Sequence, residues 1–140
     1  MYSRTLIALS LVSSLGVGWA TAIAPHDAVA SEAPMASRQT QAESLYRQGL
    51  MKYEKGDLAA AIALLTAAIE LDPHSAAAYA ARAGAWGKQE NYAAAIADYS
   101  AAIAIDDELA PAYGGRGLAL SLEGDLENGV DDLWTAAQLF

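Results

Sequence analysis

Residues 76–107 read AAAYAARAGAWGKQENYAAAIADYSAAIAIDD, and two helical periods run through them with a break between. Tyr79, Ala83 and Trp86 fall on one face of the first segment. Ala95, Tyr99, Ala102 and Ile103 recur at three- and four-residue steps in the second, the spacing of an amphipathic helix. Glu90-Asn91 separates the two. Ala83, Ala95 and Ala102 are small enough to let two antiparallel backbones approach closely, while Tyr79, Trp86 and Tyr99 fill the space around them. The stretch is a packing unit and holds no constellation of reacting groups.

Outward from this pair, the chain repeats itself at an interval of 34 residues. Ala42, Ala76 and Ala110 head three blocks. Leu45, Tyr79 and Tyr113 align as bulky residues, and Gly49, Ala83 and Gly117 as small ones. Further on, Ala61, Ala95 and Gly129 align, then Leu65, Tyr99 and Leu133, then Ala68, Ala102 and Ala136. The break is Gly56-Asp57, Glu90-Asn91 and Gly124-Asp125 in turn: glycine just past a helix and Asp or Asn opening the next act as C-cap and N-cap. Asp72-Pro73 closes the first block, because proline cannot continue that helix.

In period, in the order of small and bulky positions and in the Asp-Pro close, residues 42–140 resemble the tetratricopeptide repeat. The resemblance implies an all-α fold, a solenoid of three antiparallel helix pairs (42–75, 76–109 and 110–140). The chain departs from the family pattern in places. Lys52 stands at a usual aromatic position, Asp107 replaces the closing proline of block two, Glu90 replaces the turn glycine, and block three stops at Phe140 before its closing turn.

Charges covary between the blocks. Arg82 and Arg116 stand where block one has Gln48, and Asp98 and Asp132, sixteen residues later, stand where it has Leu64. Charges that appear and vanish together predict Arg82–Asp98 and Arg116–Asp132 ion pairs joining the first helix of a repeat to the second. Their expected role is structural, in preference to arginine as a ligand anchor.

Stacked repeats of this kind form a concave face from the first helix of each. The resemblance implies groove positions Glu43, Tyr46, Leu50, Tyr53 and Glu54 in block one, Ala77, Ala80, Gly84, Gly87 and Lys88 in block two, and Gly114, Leu118, Ser121 and Leu122 in block three. That floor is small and apolar in the middle with tyrosines at its N-terminal side, and it predicts a peptide segment with apolar anchors as the guest. Some family members grip an acidic C-terminal peptide with a two-carboxylate clamp of Lys, Asn and Arg. The corresponding positions here are Tyr46, Leu50, Ala81, Pro111 and Gly115, and only the Tyr46 hydroxyl could donate from a side chain, so recognition of chaperone tails is not expected.

The last helix, expected over 126–140, carries Val130, Leu133, Trp134, Ala137, Leu139 and Phe140. Terminal repeats normally present a polar outer face, so this apolar one predicts a docked partner or a second copy of the chain. Gly114, Gly115 and Gly117 each cost a helix about 1 kcal/mol relative to alanine, and the third repeat is expected to be the least stable.

The first thirty residues read as an address. Arg4 is the only charge before Asp27, residues 5–24 are uncharged, and Ala28-Val29-Ala30 is an A-x-A exit followed by Ser31 and Glu32. These are the parts of a secretory signal peptide. Retained, the same stretch would anchor the protein in a membrane. Either way the remainder is expected across the membrane, in a periplasm or, in a phototroph, a thylakoid lumen. Residues 31–41 are polar and are expected to be a flexible leader, with helix as the alternative at its end.

Composition excludes several functions. The chain has no cysteine, so disulfides, thiolate chemistry and Cys-based zinc sites are absent. A net charge of −9 with scattered basic residues argues against nucleic acid. His74 lies in a turn after Pro73 with no nucleophile or carboxylate set beside it. Gly114-Gly115-Arg116-Gly117 lacks the preceding strand and full spacing of a phosphate loop. Asp106-Asp107-Glu108 and Asp131-Asp132 lack the alternating ligands of a calcium loop. The sequence thus predicts a non-enzymatic adaptor without cofactor or metal.

Overall fold

Six helices follow one another in the computed structural model, which describes residues 34–140. The segment expected to be a signal peptide and residues 31–33 of the leader lie outside the described residues. Helix α1 covers 34–54. After it come α2 (Leu58–Leu71), α3 (Ala76–Lys88), α4 (Tyr92–Ile105), α5 (Ala110–Glu123) and α6 (Leu126–Leu139). No strand occurs among the described residues. Residues 34–41, the later part of the expected leader, are helical and continue into the repeat. Met35, Ala36, Arg38, Gln39 and Gln41 are good helix formers, and no glycine or proline follows Pro34 before Gly49.

The turns repeat as the sequence does. Asp57, Ser75, Asn91 and Asp125 each accept a hydrogen bond from a backbone N–H three residues on, at 3.2–3.3 Å. Among α2 to α6, α5 alone opens without a side-chain cap, with Pro111 in its first turn instead. Asp72 and Asp106 close their helix pairs in the same way, each accepting at Oδ1 from the N–H two residues later at 3.1 Å. This aspartate turn explains how block two ends without the proline of block one. Gly56, Glu90 and Gly124 occupy one left-handed position, with φ of +79°, +61° and +100°. Glutamate is there at a steric cost that glycine avoids.

Within the repeat unit, residues 38–140, α3 packs on α2 and α4, and α5 packs on α4 and α6. The core between them is made of alanine. Ala61, Ala68, Ala83, Ala85, Ala95, Ala102 and Ala112 have no solvent exposure, and Leu65 is the one large side chain so enclosed. The helices therefore meet backbone to backbone. A Cβ on Gly117 would lie 2.7 Å from the Gly129 carbonyl oxygen, and one on Gly49 would lie 2.7 Å from Leu65 Cγ. A Cβ on Gly115 would overlap the Tyr99 ring, whereas one on Gly114 would meet only Ala136 at an ordinary 3.8 Å. Glycines 115 and 117 are thus set by close contact, and their helix cost is offset by packing that no larger residue permits.

Three substitutions separate these effects in urea or thermal unfolding. Glu90→Gly is expected to stabilise the protein by about 1 kcal/mol through relief at the left-handed position. Gly114→Ala is expected to be neutral or stabilising by up to about 1 kcal/mol, while Gly115→Ala destabilises by more than about 1 kcal/mol despite the better helix former.

Candidate functional site: a tyrosine-walled cleft

A cleft of about 280 Å³ lies between the first helices of the repeats. Helix α1 supplies Tyr53, α3 supplies Gly84, Gly87 and Lys88, and α5 supplies Leu118 and Leu122 from its exposed face. Tyr92 and Tyr99 reach it from α4. Gly84 is the floor: a Cβ there would touch the Tyr53 hydroxyl at 3.5 Å and the Tyr99 hydroxyl at 3.7 Å. The Lys88 ammonium sits 3.9 Å from the centroid of the Tyr53 ring, a cation–π contact across α1 and α3. Burial pushes the Tyr99 phenol above its ordinary pKa, with Tyr53 adding to the rise. The hydroxyls of Tyr53, Tyr92 and Tyr99 take no hydrogen-bond partner among the described residues.

The cleft gathers Tyr53, Gly84, Gly87, Lys88, Leu118 and Leu122 of the groove positions named from sequence. It leaves out the others. Tyr46 lines a separate concavity with Glu43, Ala68, Asp72, Ser75 and Ala78, at the junction of α1, α2 and α3. Leu50 and Ala80 are half-buried and Ala77 exposed, and none of the three lines the cleft. Gly114 turns toward Ala136 on α6. Tyr92 and Tyr99 were missed because α4 is the second helix of its repeat; Tyr99 extends over Gly115, where no side chain blocks it.

Behind the cleft, arginine braces the repeats. Arg82 Nε donates to Asp98 Oδ2 at 2.7 Å and Nη2 to Oδ1 at 2.8 Å, a bidentate pair between α3 and α4. Its Nη1 donates to Thr66 Oγ1 of α2 at 3.0 Å. Arg116 repeats this with Asp132 at 2.6 and 2.8 Å and with Ser100 at 3.1 Å. Each guanidinium also lies 5.7 Å from a tyrosine ring three residues earlier, Tyr79 or Tyr113. The carboxylate hydrogen bond raises the pKa of both arginines against the opposing effect of burial. The hydroxyls were absent from the sequence reading, although Thr66 and Ser100 stand one repeat apart.

Val130, Leu133, Trp134 and Ala137 of α6 and Phe140 at its C-cap are exposed, Trp134 at 68% and Phe140 at 87%. Among the described residues no three metal-binding side chains are grouped, and no helix is long and apolar enough to cross a membrane.

The tetratricopeptide repeat family model matches residues 42–75. The second tetratricopeptide domain of Spaghetti (RPAP3), solved with the HSP90 peptide SRMEEVD, is 30% identical over 74% of this chain and 96% of its own, with a TM-score of 0.73. The chain belongs to the tetratricopeptide repeat family. The second such domain of human RPAP3, in complex with the HSP70 peptide SGPTIEEVD, is also 30% identical, over 73% of this chain and 85% of its own, with a TM-score of 0.70. MamA is 28% identical over 72% of this chain and 59% of its own, at 0.68. No curated protein matches the chain. The tetratricopeptide solenoid is a protein-interaction module, and the all-α architecture of stacked helix pairs stands as read from the repeat.

The brace has a measurable weight. Arg82→Ala leaves the buried Asp98 carboxylate without its partner and is expected to cost about 2–3 kcal/mol in urea unfolding. Thr66→Val removes one charge-assisted bond and costs about 1 kcal/mol. The Arg82→Leu/Asp98→Leu double variant is expected to lose less than Arg82→Ala alone.

Proposed function

We propose that this protein is a non-enzymatic adaptor that works outside the cytoplasm, in a periplasm or thylakoid lumen, and binds a peptide segment of another protein in the cleft between Tyr53 and Leu118. The observation that carries this reading is the cleft itself, with a glycine floor, aromatic walls and unpartnered hydroxyls. Aromatic side chains held rigidly offer contact area at low entropic cost, and Tyr is enriched where partners bind. Support from relatives is of the same kind, since domains of this family hold peptides of chaperones. Residues 1–30 support export through Arg4, the uncharged run 5–24 and the Ala28-Val29-Ala30 exit. A retained N-terminal segment would make the protein a membrane-anchored assembly factor, and an N-terminal sequence beginning at Ser31 decides for the free form.

A second reading, self-association through α6, is favoured by its exposed apolar stripe. Glu127 and Asp131 lie in the first half of α6 and the second half is uncharged, so antiparallel pairing with a second copy sets no like charges together. A strict monomer in gel filtration for both wild type and Trp134→Glu excludes it.

Gly84→Leu tests the cleft. Its first carbon fits, and the remainder of the side chain fills the space a guest would occupy. Crosslinked affinity purification from the exported fraction is expected to recover the partner with wild type and with Tyr46→Ala, which lies outside the cleft. Gly84→Leu is expected to weaken capture by on the order of tenfold, about 1.4 kcal/mol. Equal capture by Gly84→Leu and wild type rejects the cleft as the site.

A further inference from the structure

Along α6 and its C-cap, Leu126, Val130, Leu133, Ala137 and Phe140 recur at alternating steps of four and three. This is the spacing of a seam along which two helices pair. All of them are exposed, Leu126 at 64% and Val130 at 60%, and Trp134 widens the stripe on one side. The buried face of α6 is a different one and carries Gly129, Asp132 and Ala136.

The repeat shows what happens to such a seam inside the stack. One block earlier its first four positions are Tyr92, Ile96, Tyr99 and Ile103 of α4, and none of them is exposed. The first helix of the next repeat lies over them. Ile96 borders a concavity with Arg116 and Leu120 of α5, and Tyr99 fills the space above Gly115. On α6 the same positions lie open.

A second copy of the chain could cover them in two ways. Head-to-tail stacking would lay α1 of one copy on α6 of another, continuing the solenoid. The α5 residues Gly115, Arg116, Ala119 and Leu120, which lie over α4, correspond to Arg47, Gln48, Met51 and Lys52 of α1. Arg47 and Lys52 are exposed and already paired with Glu43 and Asp57, and burying them against an apolar stripe is costly. Trp134 also stands where Thr66 and Ser100 receive the arginine of the next repeat, and an indole offers no acceptor there. Pairing α6 with α6 meets neither obstacle, since identical surfaces join across a twofold axis. Charge sets the direction. Glu127 and Asp131 lie in the first half of α6, and no charged side chain follows Asp132. Parallel pairing aligns the acidic halves, whereas antiparallel pairing lays each beside an uncharged one.

We infer that α6 is a dimerisation element, two copies pairing this helix antiparallel across a twofold axis. The inference rests on the self-association reading of α6 and gives it a partner face and a direction. Overlap along nearly the whole helix sets Leu126 beside the partner copy's Ala137, large against small, and Val130 beside the partner copy's Leu133.

Because the chain has no cysteine, single-cysteine variants report this arrangement. Full-length Leu126→Cys and Ala137→Cys proteins are oxidised separately and as a mixture. Sedimentation equilibrium of wild type and Val130→Glu across the micromolar range accompanies them, as an interface of one helix pair is small. Wild type is expected to give monomer and dimer with no larger species. Val130→Glu is expected to weaken the dimer by at least about tenfold, with circular dichroism unchanged. A disulfide is expected between the two variants in the mixture and in neither alone. Crosslinking of either variant with itself, or none in the mixture, overturns the antiparallel arrangement and leaves self-association standing. Species growing beyond two copies indicate head-to-tail stacking and overturn it as well. A wild type that stays monomeric, or a dimer indifferent to Val130→Glu, removes both the arrangement and the self-association reading of α6.

Discussion

Close approach of helix backbones is the constraint on which this molecule depends. Almost nothing large is enclosed in it, and alanine and glycine occupy the crossings where a solenoid with wider spacing would hold leucine. Buried alanine contributes modest transfer energy per residue, so stability must come from many short contacts at high density. One added carbon at Gly115 or Gly117 strikes a ring or a carbonyl. The same closeness brings Tyr99 across α5 and leaves its hydroxyl over Gly84. Packing and cleft are therefore one arrangement seen from two sides.

Bidentate arginine pairs suit such a frame. Thin apolar contacts define the distance between helices well and their sliding poorly. A planar guanidinium held by two carboxylate bonds, a hydroxyl from the preceding repeat and a tyrosine ring fixes that sliding coordinate. Block one has no such arginine, and its helices meet instead through Gly49 and the enclosed Leu65. Gln48 and Leu64 cannot form the pair, and in block three the two devices coexist, Gly117 lying against Leu133 beside the Arg116–Asp132 pair.

Much of the architecture was legible from residue identity, for physical reasons. Helix breaks were readable because glycine and N-cap residues act locally, and the Arg–Asp pairs because two charges covary at a fixed separation. Thr66 and Ser100 were not, since a hydroxyl carries no charge to flag its partner. The cleft was half legible. Tyr53, Gly84, Lys88 and Leu118 follow from the family's groove positions, but Tyr46 and Gly114 obey local packing against α2, α3 and α6. Gly114 and Gly115 are adjacent and look alike in sequence, yet only the second is required by a neighbouring ring. That distinction needs the path of Tyr99, which no one-dimensional pattern contains. Residues 34–41 are polar, which suggested a leader with helix only toward its end; their helix propensity carries the helix back to residue 34 without an apolar stripe.

Rigidity in the tyrosine walls bears on how a cleft this shallow can bind at all. A small site gains little area, so its affinity depends on how little ordering the protein must undergo. Tyr99 is pinned against the backbone at Gly115, and Tyr53 is held under the Lys88 ammonium. Neither ring has to be immobilised when a guest arrives. A preorganised cleft can thus hold a guest through few contacts where a flexible one could not.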